Sequence, residues 1–164
     1  MKYGIDKNIT FITAISLTGG EPLLNPYLQE IVDYAKSLKL KVKLDTSLIG
    51  DVTSLPLSVD LINVSIKNYN YLLQIIDKIK WIDEHDLYYE FNIVYHKDFL
   101  SDNELIKINK LLEQFNAIIN IVEMDTSYCN LKNNPSKKDL VKACSFFSNT
   151  CYIVSRDGGR EFIL

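Results

Sequence analysis

At 164 residues, 47% hydrophobic and 24% charged, the chain has the composition of a soluble globular protein and the length for one core, read as a single domain over residues 1–164. No apolar run reaches about 18 residues, which argues against a membrane-spanning helix. The first residues carry no apolar signal core, which points to the cytoplasm, and a net charge of -3 with scattered Lys and Arg gives no electrostatic footprint for nucleic acid.

Phe11 to Leu17 is a short apolar run with β-branched residues and predicts a buried strand. It runs into Thr18-Gly19-Gly20-Glu21-Pro22. Glycine permits unusual φ and close backbone approach, and proline cannot continue a ladder, so this exit exposes backbone beside a carboxylate. Asn25-Pro26 predicts a helix start, with Asn as cap and Pro at the first helical position. Leu28, Ile31, Val32, Ala35 and Leu38 make its buried stripe. Leu40 to Leu44 alternates as the next strand, with Asp45 to Gly50 as its exit loop.

Leu61 to Ile66 predicts a third strand, and Tyr69 to His85 a helix facing Leu72, Leu73, Ile76, Ile79 and Ile82 inward. Tyr88 to Tyr95 is a strand rich in aromatic and β-branched residues, which read as strand packing. Ser101 to Glu104 is a capping box ahead of Leu105 to Phe115. Ala117 to Val122 is a strand, and Ser136 to Asp139 caps a helix running to about Phe147. Cys151 to Val154 is the last strand of the alternation, and Asp157-Gly158-Gly159 a turn before Glu161 to Leu164.

Serial β-α units imply a mainly parallel α/β sheet, either open and doubly wound or part of a (β/α) barrel. In both, ligands sit at the carboxyl ends of strands. The Gly-Gly exit, Asp45-Thr46-Ser47, Ser65 with Lys67, and His96 all fall at such ends. His85 and His96 are lone histidines without ligand spacing. Cys129, Cys144 and Cys151 are 15 and 7 positions apart and form no CxxC pair and no secreted disulfide framework.

The Gly19-Gly20-Glu21-Pro22-Leu23 string, at a strand end and ahead of a helix, resembles the second-strand motif of the radical S-adenosylmethionine (SAM) enzymes. The pattern is nearest the glycyl-radical-activating branch, which includes the activating enzymes of pyruvate formate-lyase and of anaerobic ribonucleotide reductase. Asp45-Thr46-Ser47 stands where that branch often carries Asp-Thr-Asn-Gly, with Ser47 and Leu48 replacing Asn and Gly. Ser65-Ile66-Lys67 stands where it often shows Asp-x-Lys; Lys67 matches, and Ser65 offers a hydroxyl without charge. Tyr88 to Asp98 resembles a later strand but lacks its Arg. The resemblance implies a partial (β/α) barrel of about five to six mainly parallel strands, missing the first β-α unit. It implies SAM as cofactor, with Gly19, Gly20 and Glu21 holding the methionine amine and Thr46, Ser65 and Lys67 approaching ribose or carboxylate.

The family's 4Fe-4S cluster is held by a CxxxCxxC loop ahead of the Gly-Gly-Glu-Pro string, and here the segment before Thr18 has no cysteine. The three cysteines downstream do not replace that motif, so no metal ligand is assigned. The expectation is the C-terminal portion of an activating-type enzyme whose radical chemistry needs a cluster from elsewhere. Its partner would be a glycyl-radical protein or a chain supplying the missing segment. The alternative is a degenerate, cluster-free scaffold that binds SAM, another nucleotide or a partner protein. An open first edge and uncovered apolar surface would favour a homodimer. No G-x-G-x-x-G follows the first strand, which disfavours a dinucleotide-binding domain.

Overall fold

The computed structural model describes residues 12–128 and 134–163. Seven strands follow chain order in one sheet: β1 (Ala14–Leu17), β2 (Lys41–Thr46), β3 (Leu61–Ile66), β4 (Tyr89–Tyr95), β5 (Ile118–Glu123), β6 (Cys151–Ser155) and β7 (Gly159–Ile163). The pairs β1–β2, β2–β3, β4–β5 and β5–β6 are parallel, and β7 returns antiparallel to β6. Between them run α1 (Leu28–Ser37), α2 (Tyr69–Glu84), α3 (Asp102–Leu112) and α4 (Lys137–Cys144). The chain groups into two compact units, Met1–Val64 with Asp77–Tyr89, and Ser65–Ile76 with Glu90–Leu164.

In the first unit β2 shows why the sheet has two unlike faces. Val42, Leu44 and Thr46 are buried, while Lys41, Lys43 and Asp45 point the other way. Alternation along a strand places successive side chains on opposite faces, so one face goes to the core and the other stays polar. Val32 and Ala35 of α1 and Ile62 and Val64 of β3 complete the buried side. Ile31 and Leu38, expected in the α1 stripe, are only half-buried.

The entry to α1 differs from expectation. Pro22–Leu24 forms a 3-10 turn, Asn25 closes it with its N–H donating to Pro22 O at 3.0 Å, and the helix begins at Leu28. Asn25 precedes a proline, which disfavours helical backbone, and its φ of -84° with ψ of 114° is extended. Its side-chain oxygen accepts from the Tyr27 amide at 3.0 Å, an Asx turn in place of a helix cap. The α2 stripe is also rephased: Leu72, Ile75, Ile79 and Ile82 are buried, and Leu73 is 47% exposed. The 72/75/79/82 set keeps one continuous helical stripe, which the choice of Leu73 and Ile76 breaks.

In the second unit Phe91, Ile93, Ile119, Ile121 and Ile153 are buried from the strands and Leu105, Ile108, Leu112 and Leu140 from the helices. Tyr89 of the first unit and Tyr95 are buried too, as expected of strand packing, whereas Tyr88, just ahead of β4, is 62% exposed. α4 has a complete capping box, Ser136 with Asp139. At α3 the box is half made: Ser101 Oγ accepts from the Glu104 amide at 3.3 Å, while the Glu104 carboxylate accepts from the Tyr69 amide at 3.2 Å. Glu104 thus serves the start of α2 rather than its own helix. Both helices end about one turn before the predicted Phe115 and Phe147. No helix among the described residues is long and apolar enough to cross a membrane.

Asp60 ties the first unit together, accepting from Lys36 Nζ at 2.7 Å, Lys41 Nζ at 2.8 Å and the Val42 amide at 2.8 Å. Burial raises its pKa, but the hydrogen bonds from both lysines and the Val42 amide outweigh that and hold it far below the ordinary aspartate value. A depressed native pKa stabilises the fold above the unfolded-state value, and this contribution fades as pH falls below it. Asp60→Asn is expected to cost about 1–2 kcal/mol at neutral pH in urea denaturation, with the gap to wild type closing below about pH 4.

Candidate functional site

The carboxyl end of β1 leads into two successive left-handed glycines, Gly19 at φ +92° and Gly20 at φ +56°. Other residues are strained there, so the backbone conformation itself calls for glycine. A Cβ added at either position would meet nothing within 4 Å. The turn is therefore open to approach from outside, and both residues are exposed. Beside it lies a cavity of about 90 Å³ lined by Leu17, Thr18, Gly19, Glu21 and Pro22 among others. Pockets for a whole drug-sized ligand run to about 300–1,000 Å³, so this one fits only the end of a molecule.

Glu21 follows the glycines and accepts four hydrogen bonds. Oε1 accepts from Thr46 Oγ1 and from the Leu23 amide at 3.3 Å, and Oε2 from the Ser47 amide at 2.8 Å and Ser47 Oγ at 2.5 Å. An ionised carboxylate offers about four acceptor positions, so Glu21 is saturated. Burial raises its pKa, and the bonds from the Ser47 hydroxyl, Thr46 and the two amides more than offset this, leaving it below the ordinary value. The carboxylate is a charged clasp between the end of β1 and the end of β2.

The other half of the clasp is braced in turn. Thr46 is 2% exposed, and its Oγ1 accepts from the Leu48 amide at 2.9 Å. Leu48 is fully buried with φ +57°, a conformation that costs a non-glycine residue about 1–2 kcal/mol. Its carbonyl and that of Gly50 each accept from Lys78 Nζ at 2.7 Å. Gly50, at φ +111°, lies against the 3-10 turn, where an added Cβ would be 3.2 Å from Leu24 Cδ2. Ser47 and Lys78 were not among the sequence candidates. Ser47 was legible as part of the Asp45-Thr46-Ser47 strand exit and as a departure from Asp-Thr-Asn-Gly, and a helical lysine reads as solvated until the loop beneath it is placed.

On the polar face, Asp45 accepts from Ser16 Oγ at 2.5 Å and Asn63 Nδ2 at 2.8 Å and pairs with Lys43 at 3.2 Å. The parallel register places Ser16 beside Lys43 and Asp45 beside Asn63. Among the predicted site residues, Glu21 and Thr46 are thus joined directly and Gly19 and Gly20 adjoin them. Ser65, half-buried, and Lys67, exposed, lie at the end of β3 in the second unit, with Lys67 Nζ 4.9 Å from the Tyr71 ring centroid. His96 is buried, its Nδ1 accepting from the Asp98 amide at 3.2 Å; His85 stacks on Trp81 at 3.8 Å.

Cys144 and Cys151 are buried free thiols in the second unit, and Cys129 lies outside the described residues. A hydrogen bond with Cys144, together with burial, pushes the Cys151 thiol far up. Iron-sulfur ligands must be thiolates, and the surroundings of Cys151 favour the protonated form. No group of three or more His, Cys, Asp or Glu side chains that could hold a metal ion occurs among the described residues.

No family model matches the sequence, and a search of curated proteins gives no match. Solved structures do match. A domain of pyruvate-formate lyase-activating enzyme from Bacteroides vulgatus ATCC 8482 superposes with a TM-score of 0.71 at 18% identity, over 85% of this chain and 98% of that one. A radical SAM methyltransferase from Sphaerobacter thermophilus gives 0.70 at 16%, over 89% and 52%. Streptococcus suis SuiB bound to S-adenosylmethionine gives 0.66 at 16%, over 87% and 39%. The fold is that of the radical SAM enzymes. The expected partial α/β barrel is therefore observed, with an antiparallel strand, β7, added after the six strands expected at most. The chain spans nearly all of the activating-enzyme domain but about half or less of the methyltransferase and of SuiB. Within this fold, Glu21 and its donors join the carboxyl ends of β1 and β2.

Thr46→Val leaves the Leu48 amide without its acceptor and Glu21 short of a donor. A loss of about 1–3 kcal/mol is expected in urea denaturation. A substitution at exposed Ser37, away from these contacts, should stay within about 0.5 kcal/mol.

Proposed function

We propose that this chain holds the methionine end of SAM and forms the C-terminal portion of a radical SAM enzyme of the activating type. The observation that carries the reading is the open, left-handed Gly19–Gly20 turn, clasped through Glu21 to the end of β2, in a fold shared with radical SAM enzymes. The SuiB structure with bound SAM is one of those neighbours.

The residues present suit the cationic end of SAM. The turn offers backbone carbonyl acceptors beside an ionised carboxylate, and the small cavity matches an amino-acid head. Glu21, already saturated, acts by fixing the turn and supplying negative potential. An incoming ammonium would most readily displace the Ser47 hydroxyl, which can rotate away. Thr46, engaged both as donor and acceptor, acts on the ligand through Glu21 rather than by touching ribose. In radical SAM enzymes the bound cofactor supplies the 5′-deoxyadenosyl radical; the contribution of this chain is to hold and orient.

The 4Fe-4S cluster does not fit these residues, and no step is routed through it here. Its ligands would come from a segment outside the 164 residues, on the same polypeptide or another chain, with a glycyl-radical protein as substrate. A second reading, a cluster-free SAM-binding or partner-binding scaffold, is favoured by the saturation of Glu21 and the thiol character of Cys151.

Calorimetric titration of SAM into the anaerobically purified chain should show saturable binding. Gly20→Val, which places a β-branched residue at φ +56°, should weaken it by at least about tenfold. Binding without iron, from a gene with no CxxxCxxC codons in frame upstream, would select the scaffold reading. No SAM binding to a folded chain would sink both cofactor readings.

A further inference from the structure

We propose that Lys78 is a positioning residue for the Gly19–Glu21 turn, acting across the loop that follows β2. The inference rests on the SAM-site reading and extends it to a residue on a helix. Lys78, half-buried on α2, spends two N–H donors on the carbonyls of Leu48 and Gly50, each at 2.7 Å. These carbonyls flank Ile49 at the tip of the loop. An ammonium has three donors and no acceptor, so one lysine head can gather two converging carbonyls.

The consequence passes along a directional chain. Leu48, held in its left-handed conformation, donates its amide to Thr46 Oγ1 at 2.9 Å. Thr46 then has a single proton to give, and it goes to Glu21 Oε1. Ser47, fixed between Thr46 and Leu48, turns both its amide and its hydroxyl onto Glu21 Oε2. Three of the four donors to the carboxylate therefore depend on the loop shape that Lys78 holds. Gly50 adds a second brace, because its bare Cα lies against Leu23 and Leu24 just beyond Glu21. Without the lysine head, two carbonyls lose their partner and the left-handed Leu48 loses its restraint. The loop can then relax, and Glu21 and the glycine turn lose their fixed geometry.

The test compares the full chain with Lys78→Met, which keeps the stem and removes the donors, and Lys78→Arg, which restores donors and charge. SAM affinity is read by calorimetry and local opening by amide hydrogen exchange, with the Val42 and Leu44 amides of β2 as reference. Lys78→Met should speed exchange at Ser47 and Leu48 by at least about tenfold, leave Val42 and Leu44 within about twofold, and weaken SAM by about tenfold. Lys78→Arg should recover most of both effects. Unchanged Ser47 exchange, or a uniform rise across β2, overturns the proposal, as does unchanged SAM affinity where the wild-type chain binds. A wild-type chain that binds no SAM, with Ser47 still deprotected by Lys78→Met, overturns the SAM reading and supports the bracing role. Should Lys78→Met not fold, Lys78→Gln, with its shorter polar head, carries the same comparison.

Discussion

The arrangement of the candidate site depends on the saturation of one carboxylate. Glu21 takes two backbone amides and two hydroxyls, and between them these donors come from its own 3-10 turn and from the end of the neighbouring strand. Charge-assisted bonds of this kind are stronger than neutral ones, and the two amide donors have their geometry set by the backbone. The glycine turn gains a fixed position without any contact at its own Cα atoms. A ligand-facing backbone is useful only if it is held still, and here the holding group is a charge that stays ionised because so many donors converge on it.

Two carboxylates in the first unit show how the same chemistry serves different ends. Asp60 is clasped by two lysines and an amide at the opposite end of β2, where its effect is to pin α1 and the approach to β3. Glu21 has no lysine partner among its donors, so its negative charge is not cancelled locally. An uncancelled charge beside an open turn attracts a cation; a charge between two ammonium groups does not. The contrast suits the proposed binding role at the carboxyl ends of the strands, where α/β folds carry their ligands, and leaves Asp60 a structural role at the amino ends.

Much of this was legible in the residues. The third strand was read with its observed limits, because Leu61 to Ile66 is β-branched, apolar and bounded by polar residues. The Gly-Gly-Glu-Pro exit was legible as a sharp, open turn at a strand end because only glycine occupies two left-handed positions in succession at low cost. Errors fell where a local signal had two structural uses. Asn25-Pro26 carries a helix-cap signature but makes an Asx turn after a 3-10 helix, and Glu104 completes a box in sequence but serves the amide of Tyr69. Leu73 and Ile76 satisfy a helical spacing, yet the neighbouring set is the one that faces the core.

By itself the sequence determined the alternation of strands and helices, the glycine turn, and the want of a CxxxCxxC motif in these residues, because each is a matter of local pattern and composition. Tertiary structure alone decided what Glu21 does. Its donors Thr46 and Ser47 lie 25 and 26 positions away, and the lysine that shapes their loop lies about 30 positions beyond that. No local pattern connects such residues; they meet because parallel strands bring their carboxyl ends side by side, and a crossover helix returns its side chains over the loop between them.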